Sequence, residues 1–145
     1  MNISKKILIT TLVLAVFILI LNNIATHKSW YFFIWWFDMP MHALGGLFVS
    51  FLATSLFVSK RFSSKIYREG QFFFSVIVSV FVIGILWEVF ELSIEKLVQF
   101  AELVSFKDSV SDMFFDLAGG MIGALIGLSV YRKHRIVNIN KSYAQ

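Results

Sequence analysis

Four long apolar runs with few charges constrain this chain more than any other feature. They cover about residues 7–24, 41–58, 72–94 and 109–131. An α-helix needs roughly 20 mostly apolar residues to cross a bilayer. The chain of 145 residues is 15% charged, whereas a soluble domain carries about 25% charged residues. The sequence therefore predicts an all-α integral membrane bundle of about four transmembrane helices, forming a single membrane domain over residues 1–145.

The Lys and Arg residues are biased towards one side of the predicted helices. Most of the thirteen lie near the amino terminus, between the second and third helices, or in the tail 132–145. Short segments rich in Lys and Arg stay in the cytoplasm. We therefore expect a multi-pass protein of a bacterial-type inner membrane with both termini cytoplasmic. The tail is expected to be frayed or disordered, and the net charge of +4 needs no nucleic-acid partner.

Two further signals flank the first run. Lys5 and Lys6 precede it as in a signal peptide, but no clear small-residue cleavage site follows, so an uncleaved anchor is expected. After it, residues 30–37 have the sequence WYFFIWWF. Trp and Tyr side chains favour the membrane–water boundary. This segment therefore predicts an interfacial belt or a short re-entrant segment before the second helix.

The acidic residues are concentrated on the side opposite to the basic segments. Glu88 and Glu91 lie near the end of the third helix, and Asp108, Asp112 and Asp116 recur every four residues at the start of the fourth. Topology does not require this bias, because Asp and Glu contribute little to helix orientation. Residues four apart share one helix face, so the acids form stripes that need another explanation.

Glycines continue the acidic stripe of the fourth helix. Gly119, Gly123 and Gly127 follow at a spacing of four. Small residues at this spacing let membrane helices pack closely, so we expect these glycines to form the buried packing face of the fourth helix. The acids on the same face are then expected to point into the bundle rather than into lipid.

A shared polar pocket follows from this orientation. An acid inside a membrane costs several kcal/mol unless it is paired, hydrated or coordinated. Three helices bring polar side chains to similar depths near the outer leaflet. The pocket is predicted to contain His42, Glu88, Asp112 and Asp116.

Several of the acids also have ordinary structural explanations. Asp38 precedes a proline at the start of the second helix, where it is placed to cap that helix. Asp108 is expected to cap the fourth helix or to lie in solvent. Glu95 and Glu102 are expected in the external loop. Glu91 can belong either to the loop or to the pocket.

Three ordered motifs carry a resemblance to a known family. They are DMPMHALGG at 38–46, WEVFE at 87–91 and DSVSDMFFDLAGGMIG at 108–123. Over about residues 35–128 the chain resembles the YjdF-like inner-membrane family of unknown function. It is also similar to the broader VanZ-like group, which is associated with glycopeptide resistance. VanZ-like proteins tend to have Gln in place of Glu91 and Asn in place of Asp116, so the chain lies nearer the YjdF-like side.

One function that fits these residues is a metal-dependent enzyme acting on a lipid or envelope substrate. Carboxylates with one imidazole suit a divalent cation such as Mg, Mn or Zn. The predicted ligands are His42, Glu88, Asp112 and Asp116. Either His42 or Glu88 could act as the catalytic base. The chain has no H-E-x-x-H motif and no Ser or Cys nucleophile motif, which counts against this reading.

Two other classes of function stay open. A non-catalytic protein that binds membrane lipids, a membrane-protein partner or a second copy of itself fits the residues about as well as an enzyme does. Asp38, Glu91 and Asp108 are further candidates for either kind of site. Ion or proton transport uses intramembrane acids, but the inner half of the bundle lacks matching polar residues.

Overall fold

The protein is a bundle of helices in which four are long enough to span a membrane. The computed structural model describes residues 3–59, 68–98 and 106–143, and the regular structure in these ranges is all helical. The helices are α1 (Ile3–His27), α2 (Trp30–Phe33), α3 (Asp38–Val58), α4 (Glu69–Val98) and α5 (Phe106–Tyr143). Within the described ranges, α1, α3, α4 and α5 have the length and hydropathy of membrane spans. The predicted all-α membrane bundle is confirmed.

The four long helices alternate in direction. The end of α3, the start of α4 and the later part of α5 meet in a hydrophobic cluster around Val58, Phe72 and Tyr131, and Ile3 at the start of α1 packs against it. This end of the bundle is called the Phe72 end. The opposite end contains His42 and the acidic residues, and is called the His42 end. The first described residue and the later part of α5 therefore lie at the same end.

Helix α3 lies at the centre of the bundle. It contacts α1, α4 and α5, and its contact with α5 is the most extensive in the structure. Much of the surface of α1 is apolar and exposed, including Leu12, Val13 and Leu19. Such a surface is unfavourable in water and is accommodated in hydrocarbon. The bundle therefore has the exterior of a membrane protein.

The α3–α5 contact depends on residues without bulky side chains. A Cβ atom added at Gly119 would overlap the backbone carbonyl of Ala43, and one added at Gly46 would overlap the carbonyl of Asp116. Further along α5, Cβ atoms at Gly123 and Gly127 would collide with Ser50 and Thr54, respectively. The glycines thus allow two helix backbones to lie in direct contact.

Helix α4 presents one narrow stripe to the rest of the bundle. Every fourth residue along it is buried, and the stripe consists of Phe72, Val76, Val80, Gly84 and Glu88. Residues four apart share a face of the helix. At one end of the stripe the Phe72 ring stacks on Tyr131, with centroids 4.4 Å apart. At the other end the same periodicity turns Glu88 inward.

An ion pair joins α4 and α5 at the Phe72 end. The Arg132 guanidinium donates hydrogen bonds to Glu69 Oε2 over 2.9 Å from Nε and 2.6 Å from Nη2. Both side chains are about half exposed, so the pair contributes roughly 0–1 kcal/mol to stability. Glu69 therefore offers a comparison for the buried acids at the other end of α4.

The structure corrects three predictions from the sequence. The tail from residue 132 is not frayed, because α5 continues as helix to Tyr143. Asp38 does not cap α3, because the helix begins at Asp38 and the capping position belongs to Phe37, without a side-chain hydrogen bond. Glu95 lies within α4 rather than in a loop, while Glu102 falls outside the described residues. In each case the helix is longer than the apolar run from which it was predicted.

Candidate functional site

His42 is the centre of the polar cluster. It lies one turn into α3, and its side chain is only 5% exposed. Its Nε2 atom is 3.7 Å from Asp38 Oδ2 and 3.8 Å from Asp112 Oδ2. Its Nδ1 atom is 3.5 Å from Asp116 Oδ2. Carboxylates from two helices therefore approach both nitrogens of a single imidazole.

Helix α4 contributes two more carboxylates to the same place. Glu88 and Glu91 form a group with His42 in which one ligand atom from each residue lies within 4.8 Å of the others. Glu88 is only 9% exposed. Its Oε1 atom is buried and has no hydrogen-bond partner among the described residues. An unpaired buried carboxylate oxygen is costly, so a proton or a cation at this atom would be favourable.

Small residues hold the three helices close enough for these side chains to meet. A Cβ atom at Gly84 of α4 would lie 3.0 Å from Asp116 Oδ2, and one at Gly45 of α3 would lie 3.6 Å from Asp116 Oδ1. The carboxylate of Asp116 therefore lies between two glycines. A larger residue at Gly84 would occupy the space into which that carboxylate projects.

The three helices contribute to the site from different distances along their lengths. His42 follows the first residue of α3 by about one turn, whereas Asp116 lies ten residues into α5 and Glu88 ten residues before the end of α4. At about 1.5 Å per residue, this is roughly 6 Å on α3 and about 15 Å on the other two helices. The ends of α4 and α5 therefore extend beyond the start of α3.

A cleft of about 660 Å³ opens beside the site, between α1 and α4 and over α3. Polar residues, among them Asp38, His42, Glu91 and Asp116, line one part of it. Most of the remaining lining is apolar and comes from all three helices. That lining includes Ile18, Leu19, Phe48, Val49, Val80 and Ile83. The cleft thus joins an apolar groove to the acidic cluster.

Tyr31 of the aromatic segment lines the cleft near its His42 end. Ser29 takes a left-handed conformation with φ of 53°, which turns the chain from α1 into the short helix α2. The Tyr31 hydroxyl donates a hydrogen bond of 2.7 Å to Asn22 Oδ1. Burial raises the pKa of Tyr31 to about 12, with further contributions from Asp38 and Glu91. The hydroxyl therefore keeps its proton, and its bond to α1, at ordinary pH.

The structure brings together most of the residues that the sequence singled out. His42, Asp112 and Asp116 meet directly, and Asp38 belongs to the same group. Glu88 and Glu91 of α4 also reach His42. Asp108 differs, because its side chain is exposed at the start of α5. Their roles as ligands or catalytic groups stay predictions.

The cluster has the composition and spacing of a site that could hold a metal ion. Asp38, His42 and Asp112 form one candidate group, and His42, Glu88 and Glu91 form a second. The ligand atoms in each group lie within 4.8 Å of one another. Two ligands on opposite sides of Mg²⁺, at about 2.1 Å each, are about 4.2 Å apart. Small side-chain movements would therefore bring either group to coordinating distance.

Comparison with known proteins places the chain in a family. The family model described as "Predicted membrane protein (DUF2238)" matches residues 3–133. The chain belongs to that family. The YjdF-like proteins are members of DUF2238, so this part of the resemblance is confirmed. No curated protein and no solved structure is significantly similar to the chain.

The DUF2238 match includes residues of the site that the sequence analysis missed. Asn22 and Tyr31 line the cleft and were not among the candidates. Asn22 had a recognisable signal, since a polar amide is unusual within an apolar membrane helix. Tyr31 had none, because it is one of several aromatic residues in WYFFIWWF. Gly45 and Gly46 end the motif DMPMHALGG, but their closeness to Asp116 depends on how α3 and α5 pack.

Proposed function

We propose that this DUF2238 protein binds one divalent cation at His42 and uses it in chemistry on a lipid or lipid-linked envelope substrate. The proposal rests on the Glu88 Oε1 atom, which is buried and has no hydrogen-bond partner among the described residues. Asp38 and Asp112 form a second acidic group around the same His42 imidazole. Carboxylates this close repel one another unless a proton or cation lies between them. A divalent cation compensates several of them at once.

The chemistry that a cation would supply here is Lewis-acid activation. Held by His42 and the neighbouring carboxylates, such a cation would polarise a phosphoryl or acyl group and would make water in the site more acidic. Since His42 would hold the cation, a Glu88 oxygen that is not a ligand would accept the proton of the attacking water. Water would then add across the ester bond and release the two parts of the substrate. Among Mg, Mn and Zn, the excess of carboxylates favours Mg or Mn, while His42 also allows Zn.

The proposal also includes the membrane in which the protein lies, its orientation there and its relationship to VanZ-like proteins. A bacterial-type inner membrane with both termini cytoplasmic fits the Lys and Arg bias, and would place the His42 end at the outer leaflet. The VanZ-like relationship is supported by the order of the three polar motifs. Ion or proton transport has less support. The buried polar residues described between the site and the Phe72 end are hydroxyl residues such as Thr11, Ser50 and Thr54, rather than further acids.

Metal analysis of purified protein tests the cation directly. Protein exchanged into buffer containing trace Mg, Mn and Zn should retain about one ion per chain, measured by elemental mass spectrometry. Glu88→Gln and His42→Ala should lower the apparent affinity at least about tenfold, because even changes to residues that only orient the ligands cost about 10–100-fold. Glu69→Gln is the matched control on the same helix. Equal metal content in all of these proteins, or none in the unmodified protein, would reject the site.

A non-catalytic lipid-binding function is the second candidate, and the cleft supports it. Its apolar lining adjoins the polar cluster without any Lys or Arg among the described lining residues. A binding protein would carry the cation without turning over a substrate. Incubation of metal-loaded protein with extracted envelope lipids distinguishes the two functions. An enzyme would form products detectable by mass spectrometry, whereas a binding protein would leave the lipids unchanged.

A further inference from the structure

We infer that the cleft between α1 and α4 holds the hydrocarbon chain of a membrane amphiphile whose phosphate headgroup lies at the His42 site. The inference rests on the proposed function, because the cation is what makes an anionic headgroup favourable beside so many carboxylates. It adds the class of ligand: a single-chain or splayed-chain lipid phosphate that comes from the surrounding leaflet rather than from solution.

Polar and apolar lining residues are segregated in the same direction on all three helices. On α1, Asn22 lies closer to the His42 end than Ile18 does. On α3, His42 precedes Val49, and on α4 Glu91 lies at the polar end of the cleft while Val80 lies deeper. A ligand that satisfies this lining must itself be polar at one end and apolar along the rest. This is the chemistry of an amphiphile.

The length of the apolar part matches one leaflet. From His42 to Val49 the cleft follows α3 for seven residues, and from Glu91 to Val80 it follows α4 for eleven. At about 1.5 Å per residue these distances are roughly 10 Å and 16 Å. Half of a hydrocarbon core of about 30 Å is about 15 Å. One lipid chain would therefore fill the cleft from headgroup level to the middle of the membrane.

The cleft is open on the side where lipid would lie. Leu19 of α1 and Ile83 of α4 both line it, yet they are 67% and 46% exposed. A chain could therefore enter sideways from the bilayer, without the headgroup crossing hydrocarbon. At the inner edge, neither Gly45 nor Gly84 has a side chain of its own to separate the groove from Asp116.

The charge of the His42 site determines which kind of lipid headgroup it can bind. The cluster consists mainly of carboxylates, so without a cation it would attract a cationic headgroup and repel a phosphate. With the cation of the proposed function in place, a phosphate oxygen becomes a suitable further ligand, because hard cations prefer oxygen. Phosphate binding should therefore depend on metal, and this dependence separates the inference from simple partitioning of a chain into an apolar groove.

Photocrosslinking in vesicles tests the chain position. The probe is hexadecyl phosphate carrying a mid-chain diazirine, in phosphatidylcholine vesicles containing the protein and Mn²⁺. Crosslinks should concentrate on peptides containing Phe48, Val49 and Ile83, and excess unlabelled hexadecyl phosphate should suppress them. Hexadecanol and hexadecyltrimethylammonium should compete at least about tenfold less well, a difference of about 1.4 kcal/mol. Labelling spread over the exposed faces of α1 and α4, or equal competition by all three compounds, overturns the inference.

Neighbouring residues provide matched controls. Ile83→Trp should narrow the cleft and lower saturable labelling about tenfold, whereas Val82→Trp, on an equally exposed position outside the cleft, should not. Leu19→Trp and Ile20→Trp repeat the comparison on α1, in case one variant folds poorly. Metal content is measured in the same samples. Equal labelling of both members of each pair, with metal still bound, overturns the cleft ligand and leaves the cation site standing.

The metal-free experiment distinguishes the remaining outcomes. Loss of saturable labelling in EDTA, restored by Mn²⁺, supports a headgroup held through the cation. Unchanged labelling in EDTA, from protein that retains no metal in any buffer, overturns the proposed cation and the headgroup assignment together, while showing that a chain occupies the cleft.

Discussion

At the scale of single residues, one histidine organises the site. The imidazole of His42 faces Asp38 and Asp112 with one nitrogen and Asp116 with the other, and Glu88 approaches it from α4. Burying several acids around one imidazole is unfavourable for folding unless a cation completes the arrangement. The cluster should therefore stabilise the fold in the presence of a metal and strain it in its absence.

The effect of Glu88→Gln on stability should change sign with metal. In chelator, the variant should unfold at the same or a higher temperature than the unmodified protein, because an unpaired buried carboxylate has been removed. With saturating Mn²⁺ it should unfold at a lower temperature. A ligand at 100 times its Kd stabilises the folded state by about 2.7 kcal/mol, and a variant that binds it tenfold more weakly would lose about half of this gain.

Thermal unfolding in detergent, followed by intrinsic fluorescence, measures the effect. Glu69→Gln serves as the comparison, since Glu69 pairs with Arg132 in an exposed setting and should shift the midpoint little in either buffer. A lower midpoint for Glu88→Gln in both buffers, by the same amount, would mean that Glu88 stabilises the fold without a cation.

At the scale of helices, the contact between α3 and α5 depends on glycine. Gly119→Ala should destabilise the protein by about 1–3 kcal/mol, the usual cost of overpacking, because its Cβ atom would overlap the Ala43 carbonyl. Gly70→Ala is the matched control, since nothing lies within 4 Å of a Cβ atom there. It should be neutral or stabilising by up to about 1 kcal/mol.

Unfolding midpoints of the two alanine variants decide the point. Equal tolerance of both changes would remove the packing role of Gly119. A loss of stability in Gly70→Ala but not in Gly119→Ala would contradict the packing of α3 against α5.

Periodicity in the sequence was enough to predict much of this architecture. The spacing of three or four residues from Asp112 to Gly127 predicts which face of α5 is buried, and Gly84 and Glu88 do the same for α4. Helix ends could not be predicted in this way, because the polar residues after Tyr131 continue the helix without an apolar pattern. Nor could the cleft, since Asn22 reaches it only after α1 has packed against α3.

At the scale of the whole molecule, the alternating helices put the site and the ion pair of Glu69 with Arg132 at opposite ends. The Lys and Arg distribution favours a cytoplasmic Phe72 end, and this orientation stays a prediction. This assignment is independent of the packing, because the same bundle could be inserted either way round. Orientation therefore needs its own experiment.

The absence of cysteine makes that experiment clean. Ser29→Cys should react with a membrane-impermeant maleimide in intact spheroplasts, because it lies at the His42 end between α1 and α2. Ser64→Cys and Gln145→Cys should react only after the membrane is permeabilised. The reverse pattern would invert the topology, and labelling of one but not the other of the last two would contradict an even number of spans.

Helix α5 has a mechanical consequence for the site. It runs for 38 residues, or about 57 Å, and contains no proline, the commonest cause of a sharp kink. A rod of this kind transmits axial movement with little loss. A shift of about 1.5 Å at its basic end, equal to the rise of one residue, would displace Asp112 and Asp116 against His42 by a similar distance. Such a shift is a large fraction of the 3.5 Å that now separates Asp116 from the imidazole.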